Sequence, residues 1–186
     1  MWDVEHVLSR LAAMAGADPK CQKFGAGRHR YRLGPVISEA EAAAFEERHG
    51  VTLPEAYRTS VTQVGDGGAG PFYGLFRLEE SRRRDAEWED REIPDFLATP
   101  FPHTEAWTPD PYKELDGDEY DDPQWITGSL NIAEFGCGAF LRLVIIGPER
   151  GHIWFDDRPS DGGLTRERGF YEWYMDWLTN PEQYFL

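Results

Sequence analysis

The sequence predicts a single α+β domain in which a mainly antiparallel central sheet has helices packed around it. Helical patterns come first, strand-like runs occupy the middle and late parts of the chain, and a closing helix follows. The 186 residues fit one ordinary domain, and neither an internal repeat nor a linker divides them. Within this domain of residues 1–186, we expect 1–35 to form an N-terminal helix and basic loop extension. Residues 93–125 are expected to form a Pro/Asp-rich insertion loop.

Three helices are predicted before the first strand. Apolar residues recur every three or four positions from Val4 to Met14, which is typical of a helix with one buried face. Ser38 and Glu41 fit a capping box that opens the second helix, and Gly50 can end it. The third helix is expected to start at Pro54, because proline is favoured at a first helical position.

Strand-like runs then replace the helical period. Residues 72–78, 130–133, 140–146 and 152–156 are rich in aromatic and aliphatic side chains, and the last two are separated by a glycine- and proline-containing turn. We expect 140–146 to be covered on both faces, because its apolar run is nearly continuous. From Phe170 to Leu178 the aromatic residues return to helical spacing and predict a final helix.

The excess of acidic over basic residues reduces the number of possible functions. Acidic residues outnumber basic ones 34 to 19, for a formal charge of −15, which argues against general nucleic-acid binding because phosphate contacts need clustered lysine and arginine. No secretory signal is visible, and no apolar stretch approaches the roughly 20 residues of a membrane span. We therefore expect a cytoplasmic protein that binds neither nucleic acid nor membrane. Its two cysteines cannot build a disulfide framework.

No motif predicts catalysis, a metal site or a cofactor. The run Gly65–Gly70 matches the nucleotide-binding pattern G-x-G-x-x-G, but a helix precedes it and a strand follows, which is the reverse of the required order. The acidic run from Asp116 lacks the glycine and glutamate of a calcium-binding EF-hand. Histidines and cysteines are scattered. Cys137 is expected to be a small buried residue rather than a reactive thiol, since no base or cation adjoins it.

Several segments resemble a known family. The sequence is similar to the Smi/Knr-type cell-wall regulators of the SUKH superfamily from about Val36 to Leu178, in order. The segments that carry the resemblance are Ile37–Glu41, Phe45–Tyr57, Gly67–Leu75, Phe135–Gly138, Leu143-Val144, Gly147-Pro148, Gly151–Asp156 and Trp173–Leu178.

The resemblance implies an α+β fold and no enzymatic activity. It also implies protein binding, because bacterial members are mostly immunity proteins that neutralise toxins, often nucleases, and fungal members are scaffolds in cell-wall signalling. The matched residues are glycines, turn prolines and buried aromatics, which specify the fold, so no functional residue is transferred with them.

An acidic run flanked by aromatic residues is the candidate binding site. A nuclease that grips a polyanion has a basic cleft, to which an acidic surface would be steered by charge. Tryptophan and tyrosine are common anchors at protein interfaces. The candidate protein-binding residues are Trp107, Tyr112, Asp116, Asp118, Glu119, Tyr120, Asp121, Asp122 and Trp125.

Three functions remain open from the sequence. The leading hypothesis is a cytosolic immunity protein that binds a toxin domain directly, and the alternative is an intracellular regulatory or scaffold protein without a toxin partner. In the second case the same surface binds a host protein and the acidic run is incidental. A separate alternative for the acidic run is a disordered insert that only keeps the chain soluble. A weaker hypothesis is a carbohydrate-active enzyme that uses paired Asp and Glu residues with exposed tryptophans.

Overall fold

Four consecutive strands form one antiparallel sheet. The computed structural model describes residues 1–82, 93–108, 122–160 and 162–184. The strands are β1 (Ser129–Gly136), β2 (Ala139–Val144), β3 (His152–Asp156) and β4 (Leu164–Gly169), and they are ordered β1-β2-β3-β4. This confirms the predicted α+β class with an antiparallel sheet. Every residue of β2 is buried, as its nearly continuous apolar run predicted.

Helices cover the sheet and supply much of the core. They are α1 (Val4–Ala17), α2 (Ala26–His29), α3 (Glu39–His49), α4 (Glu55–Thr59) and α5 (Phe170–Thr179). The last turn of α4 continues as a π-helical segment at Ser60–Val64, so helical backbone extends from Glu55 to Val64. Among the residues that the structure describes, each helix is too short or too polar to cross a membrane.

The aromatic face of α5 is buried against α1 and the sheet. Trp173 and Trp177 are almost fully buried, as the helical spacing of aromatics predicted. Arg10 of α1 donates from Nη2 to the carbonyl oxygen of Leu178 at 2.7 Å, and the hydroxyl of Tyr174 donates to the carbonyl oxygen of Ala69 at 2.9 Å. Both bonds join the closing helix to the N-terminal half of the chain.

The segment predicted as a strand at 72–78 is not a regular strand. Leu75 makes isolated bridges to Gly68 and Ala133, and the amide of Phe76 donates to the carbonyl oxygen of Ile132 at 2.8 Å, so the segment lies beside β1. Positive φ angles at Phe72 (55°) and Gly74 (87°) interrupt the extended conformation, which explains why the ladder stays short. Residues 78–82 are helical.

Residues 93–108 contain neither helix nor strand, yet they contribute to the core. Phe96, Leu97 and Phe101 are each at most 4% exposed. The amide of Phe101 donates to the carbonyl oxygen of Ile146 at 3.0 Å, which ties this segment to the end of β2. The first part of the Pro/Asp-rich stretch is therefore packed, and it positions the residues described next.

Candidate protein-binding site

Two tryptophans stack at the base of the acidic run. The rings of Trp107 and Trp125 lie 5.1 Å apart between centroids with an interplanar angle of 24°, and both side chains are partly exposed. Trp107 is held by paired backbone bonds to Leu164 at the start of β4, at 2.8 and 2.7 Å. Trp125 lies in a 3-10 helix at Pro123–Ile126. The stack therefore brings together the two ends of the chain segment 108–124.

Asp122 anchors the second end of this segment. Its carboxylate accepts a hydrogen bond from the amide of Gln124 at 2.9 Å and so caps the 3-10 helix that carries Trp125. Its carbonyl oxygen accepts from Nη1 of Arg158 at 3.4 Å. Asp122 thus has a local structural task, and an asparagine could perform the same capping.

His103 contacts both stacked tryptophans and supports them. Its Nε2 donates to the carbonyl oxygen of Trp125 at 2.9 Å, and its ring centroid lies 5.6 Å from that of Trp107. Burial lowers the pKa of His103, and the positive charge of Arg158 acts in the same direction. The imidazole is therefore neutral at neutral pH and serves as a rigid hydrogen-bond donor beneath the aromatic pair.

A buried charged cluster lies behind His103. Asp156 accepts two hydrogen bonds from Arg158, at 2.8 and 3.0 Å, and lies 3.6 Å from Nη1 of Arg142. Nε of Arg142 donates to Oγ of Ser129 at 2.9 Å. These residues join β1, β2 and β3 to Asp122, so the sheet itself fixes one end of the acidic segment. Removing one partner of such a buried ion pair is costly, because it leaves a buried charge without compensation.

The structure brings together three of the nine predicted binding residues. Trp107, Asp122 and Trp125 form the base described above. The other six lie outside the described residues, namely Tyr112, Asp116, Asp118, Glu119, Tyr120 and Asp121. The supports of this base, His103, Arg142 and Arg158, were not among the predicted site residues. A signal existed for Arg142, which is a charged residue within the apolar run of a buried strand.

The glycine-rich motif has a structural position. Gly67 and Gly68 have positive φ angles, and the amide and carbonyl of Gly68 pair with those of Leu75. The buried carboxylate of Asp66 accepts from the amide of Leu78 at 2.8 Å and caps the helical residues 78–82. The run is a tight turn between a helix and an extended segment, as its order in the sequence predicted. In the described ranges, no three His, Cys, Asp or Glu residues cluster as metal ligands would.

The chain was compared with known proteins and with protein families. No curated protein matches the chain. A family model, that of the SMI1 / KNR4 family (SUKH-1), matches residues 36–175, about three quarters of the chain. The matched region contains the whole of α3, α4 and the four strands, while α1 and α2 precede it. The match confirms the resemblance stated from the sequence segments, and the chain belongs to the SMI1 / KNR4 family (SUKH-1).

Proposed function

We propose that this SUKH-1 protein is a cytoplasmic, non-enzymatic immunity protein that binds a toxin domain with a basic cleft. Its acidic segment, residues 108–124, is the contact surface in this proposal. The segment carries seven acidic residues and one lysine, a formal charge of −6 out of −15 for the chain. Membership in the SUKH-1 family supports a role in protein binding.

The tryptophan stack is the observation that carries the proposal. Trp107 and Trp125 hold the two ends of the acidic segment together at a centroid distance of 5.1 Å. A segment with fixed ends has fewer conformations to lose on binding than a free tail of the same length. The stack is also partly exposed beside the charge, and a tryptophan within a polar rim is a common energetic anchor of an interface.

The negative charge of the acidic segment would determine how it inhibits a toxin. A toxin that cleaves nucleic acid needs a basic surface for its substrate, so an acidic segment can both speed encounter and occupy that surface. This mode of inhibition needs no bond to be made or broken. It predicts an association rate that falls as salt is added, since salt screens long-range attraction.

The test begins with a toxin domain encoded beside this gene. Association is measured by stopped-flow fluorescence at 0.05 and 0.5 M KCl for the wild-type protein and for a segment variant with Asp116→Asn, Asp118→Asn, Glu119→Gln, Asp121→Asn and Asp122→Asn. We expect the segment variant to associate at least about tenfold more slowly at low salt and to show a weaker salt dependence. The amides preserve side-chain size and the cap at position 122.

A charge-matched control separates the segment from net charge. This body variant also changes five exposed acids to amides, at Glu5, Glu47, Glu55, Glu172 and Glu182, and is expected to keep most of the wild-type association rate. Equal slowing of the two variants would remove the segment from the interface. A gene without a toxin neighbour, and a protein that captures a host regulatory protein instead, would favour the scaffold function.

A further inference from the structure

Four aromatic rings surround a groove beside β1 and β3. The ring centroids of Phe135 in β1 and Phe155 in β3 lie 5.0 Å apart. The centroid of Phe72 lies 4.7 Å from that of Phe135 and 5.6 Å from that of Tyr184. All four are partly exposed, and the groove has a volume of about 260 Å³. A cluster of exposed aromatic rings is a common mark of an interaction site.

The groove has a rigid frame. Leu141 and Trp173, both about 2% exposed, form its floor. Phe72 has a φ of 55°, a left-handed conformation that a bulky residue adopts only when its surroundings impose it. The hydroxyl of Tyr184 donates to Asp176 at 3.0 Å and holds the ring in place. Aromatic residues in the family-like segments were predicted to be buried, but Phe72, Phe135 and Phe155 are partly exposed.

One charged residue lines the groove. Glu167, on the edge strand β4, lines the groove, and among the described residues no cation lies within 4.0 Å of its carboxylate. The neighbouring Arg168 forms its ion pair with Asp176 at 3.3 Å instead. Glu167 is exposed overall, and partial desolvation of its carboxylate by the neighbouring residues raises its pKa. Gln183 and Tyr184 are further lining residues with polar side-chain groups.

We propose that this groove binds an arginine side chain of a protein partner, with the guanidinium on the aromatic faces and paired with the Glu167 carboxylate. A guanidinium is planar, stacks on aromatic rings and presents a fork of N–H donors that matches a carboxylate. An apolar side chain in the groove would remove water from the Glu167 carboxylate without giving it a partner, which is unfavourable. The net charge of −15 also favours a basic partner.

This inference goes beyond the proposed function, because it concerns a different surface and does not require the partner to be a toxin. The probe is the peptide acetyl-Gly-Arg-Gly-amide, titrated into the ¹⁵N-labelled protein and followed by NMR. The matched probe replaces arginine by citrulline, which has almost the same shape and no charge. We expect saturable shifts at the amides of Glu167 and Gln183, with the citrulline peptide binding about tenfold more weakly.

Variants of the protein make the assignment specific. Glu167→Gln is expected to weaken binding of the arginine peptide about tenfold, to the level of the citrulline peptide, while Glu47→Gln, at an exposed acid outside the groove, leaves it unchanged. Within the described ranges the Glu167 side chain forms no hydrogen bond or ion pair, so Glu167→Gln should fold normally. Phe135→Leu tests the aromatic wall and should weaken binding several-fold in a variant checked by circular dichroism.

Three outcomes overturn the inference. Equal affinity for the arginine and citrulline peptides would show that charge does not select the ligand. An arginine affinity that Glu167→Gln leaves unchanged would place binding elsewhere on this acidic protein. A groove that binds either peptide only after removal of Phe185 and Leu186 would belong to the chain's own C-terminus. None of these results bears on the acidic segment, so the two proposals fail independently.

Discussion

Arg142 illustrates which structural features a single residue in the sequence can predict and which it cannot. Its position in a nearly continuous apolar run predicts a strand that is covered on both faces, and the strand is buried throughout. The partners that make a buried guanidinium tolerable, Ser129 and Asp156, lie on the two neighbouring strands. Strand pairing decides those contacts, so the residue type signals a buried polar cluster but not its members.

His29 is a second residue whose chemistry depends on its surroundings. It is 8% exposed, its ring packs on Trp177 at 6.0 Å, and its Nδ1 accepts a hydrogen bond from the amide of Tyr31 at 3.0 Å. Protonation of Nδ1 would remove that acceptor and place a charge in the core. Burial lowers the pKa of His29 to about 4.

The lowered pKa of His29 predicts a loss of stability in acid. Well above pH 6.5 the residue is neutral in both states and contributes nothing to the pH dependence. As pH falls from 6.5 to 4 the unfolded chain binds the proton first, so the free energy of unfolding drops, by about 3 kcal/mol from this residue. Urea unfolding of wild type and His29→Gln at pH 7, 5.5 and 4 should show the stability difference between them changing by that amount.

Other groups set the background of that measurement. Burial also lowers the pKa values of His49 and His103, so both proteins should lose stability in acid. Only the difference between wild type and variant reports His29. A difference that stays constant between pH 7 and pH 4 would contradict the buried, neutral state of this ring.

Cys137 is a residue for which the prediction is wrong. It was expected to be buried ahead of a core strand, but it is exposed at the tip of the β1–β2 hairpin with a φ of 53°. Gly136 and Gly138 beside it also have positive φ angles. A Gly-Cys-Gly run between two strands suits a tight turn, and a turn faces solvent. The turn chemistry therefore outweighs the apolar character of the cysteine.

The ends of helices are predicted well from the sequence, because a helix cap depends on residues only three or four positions apart. Ser38 and Glu41 form the predicted capping box, and Gly50 ends α3 in the left-handed conformation. Strand β4 was not predicted, since Leu164–Gly169 has charged residues in its centre. An edge strand can carry such charges because one side of it faces solvent, and they hinder pairing with another chain.

The capping box of α3 gives a prediction for one element. Oγ of Ser38 accepts from the amide of Glu41 at 3.2 Å, and the Glu41 carboxylate accepts from the amide of Ser38 at 2.8 Å. Ser38→Ala should lower the free energy of unfolding by about 1 kcal/mol, because the amide loses its partner. Ser9→Ala, at an exposed position inside α1, is the control and should change stability by less than about 0.5 kcal/mol. Similar losses in both variants would argue against the box.

The candidate site is only partly visible in the sequence, because it depends on contacts across the whole fold. Trp107 and Trp125 were chosen because they flank an acidic run, and the fold stacks them. That stack requires Trp107 to pair with β4 and Trp125 to follow a capped 3-10 helix. Neither contact follows from local spacing. Residue type and position in the chain singled out the two tryptophans, and tertiary structure determines how they meet.

The distribution of charge over the whole protein predicts that stability and association respond differently to the acidic segment. The five acids at 116, 118, 119, 121 and 122 are close in sequence, so they repel one another in the unfolded chain as well as in the folded one. Neutralising them should therefore change association strongly and stability little. Charges distant in sequence repel only once folding brings them together, and screening that repulsion is how salt stabilises an acidic protein.

Thermal unfolding of the segment variant tests this separation. Raising KCl from 0.1 to 1 M shortens the Debye length from about 10 to about 3 Å and should raise the Tm of the wild-type protein. The segment variant, with a net charge of −10 instead of −15, should show the same rise within about 2 °C, because the lost repulsion was present in both states. A clearly smaller rise would mean that the segment's charges meet the rest of the protein on folding. The segment would then act in stability, and a slower association of the variant could no longer be assigned to the interface alone.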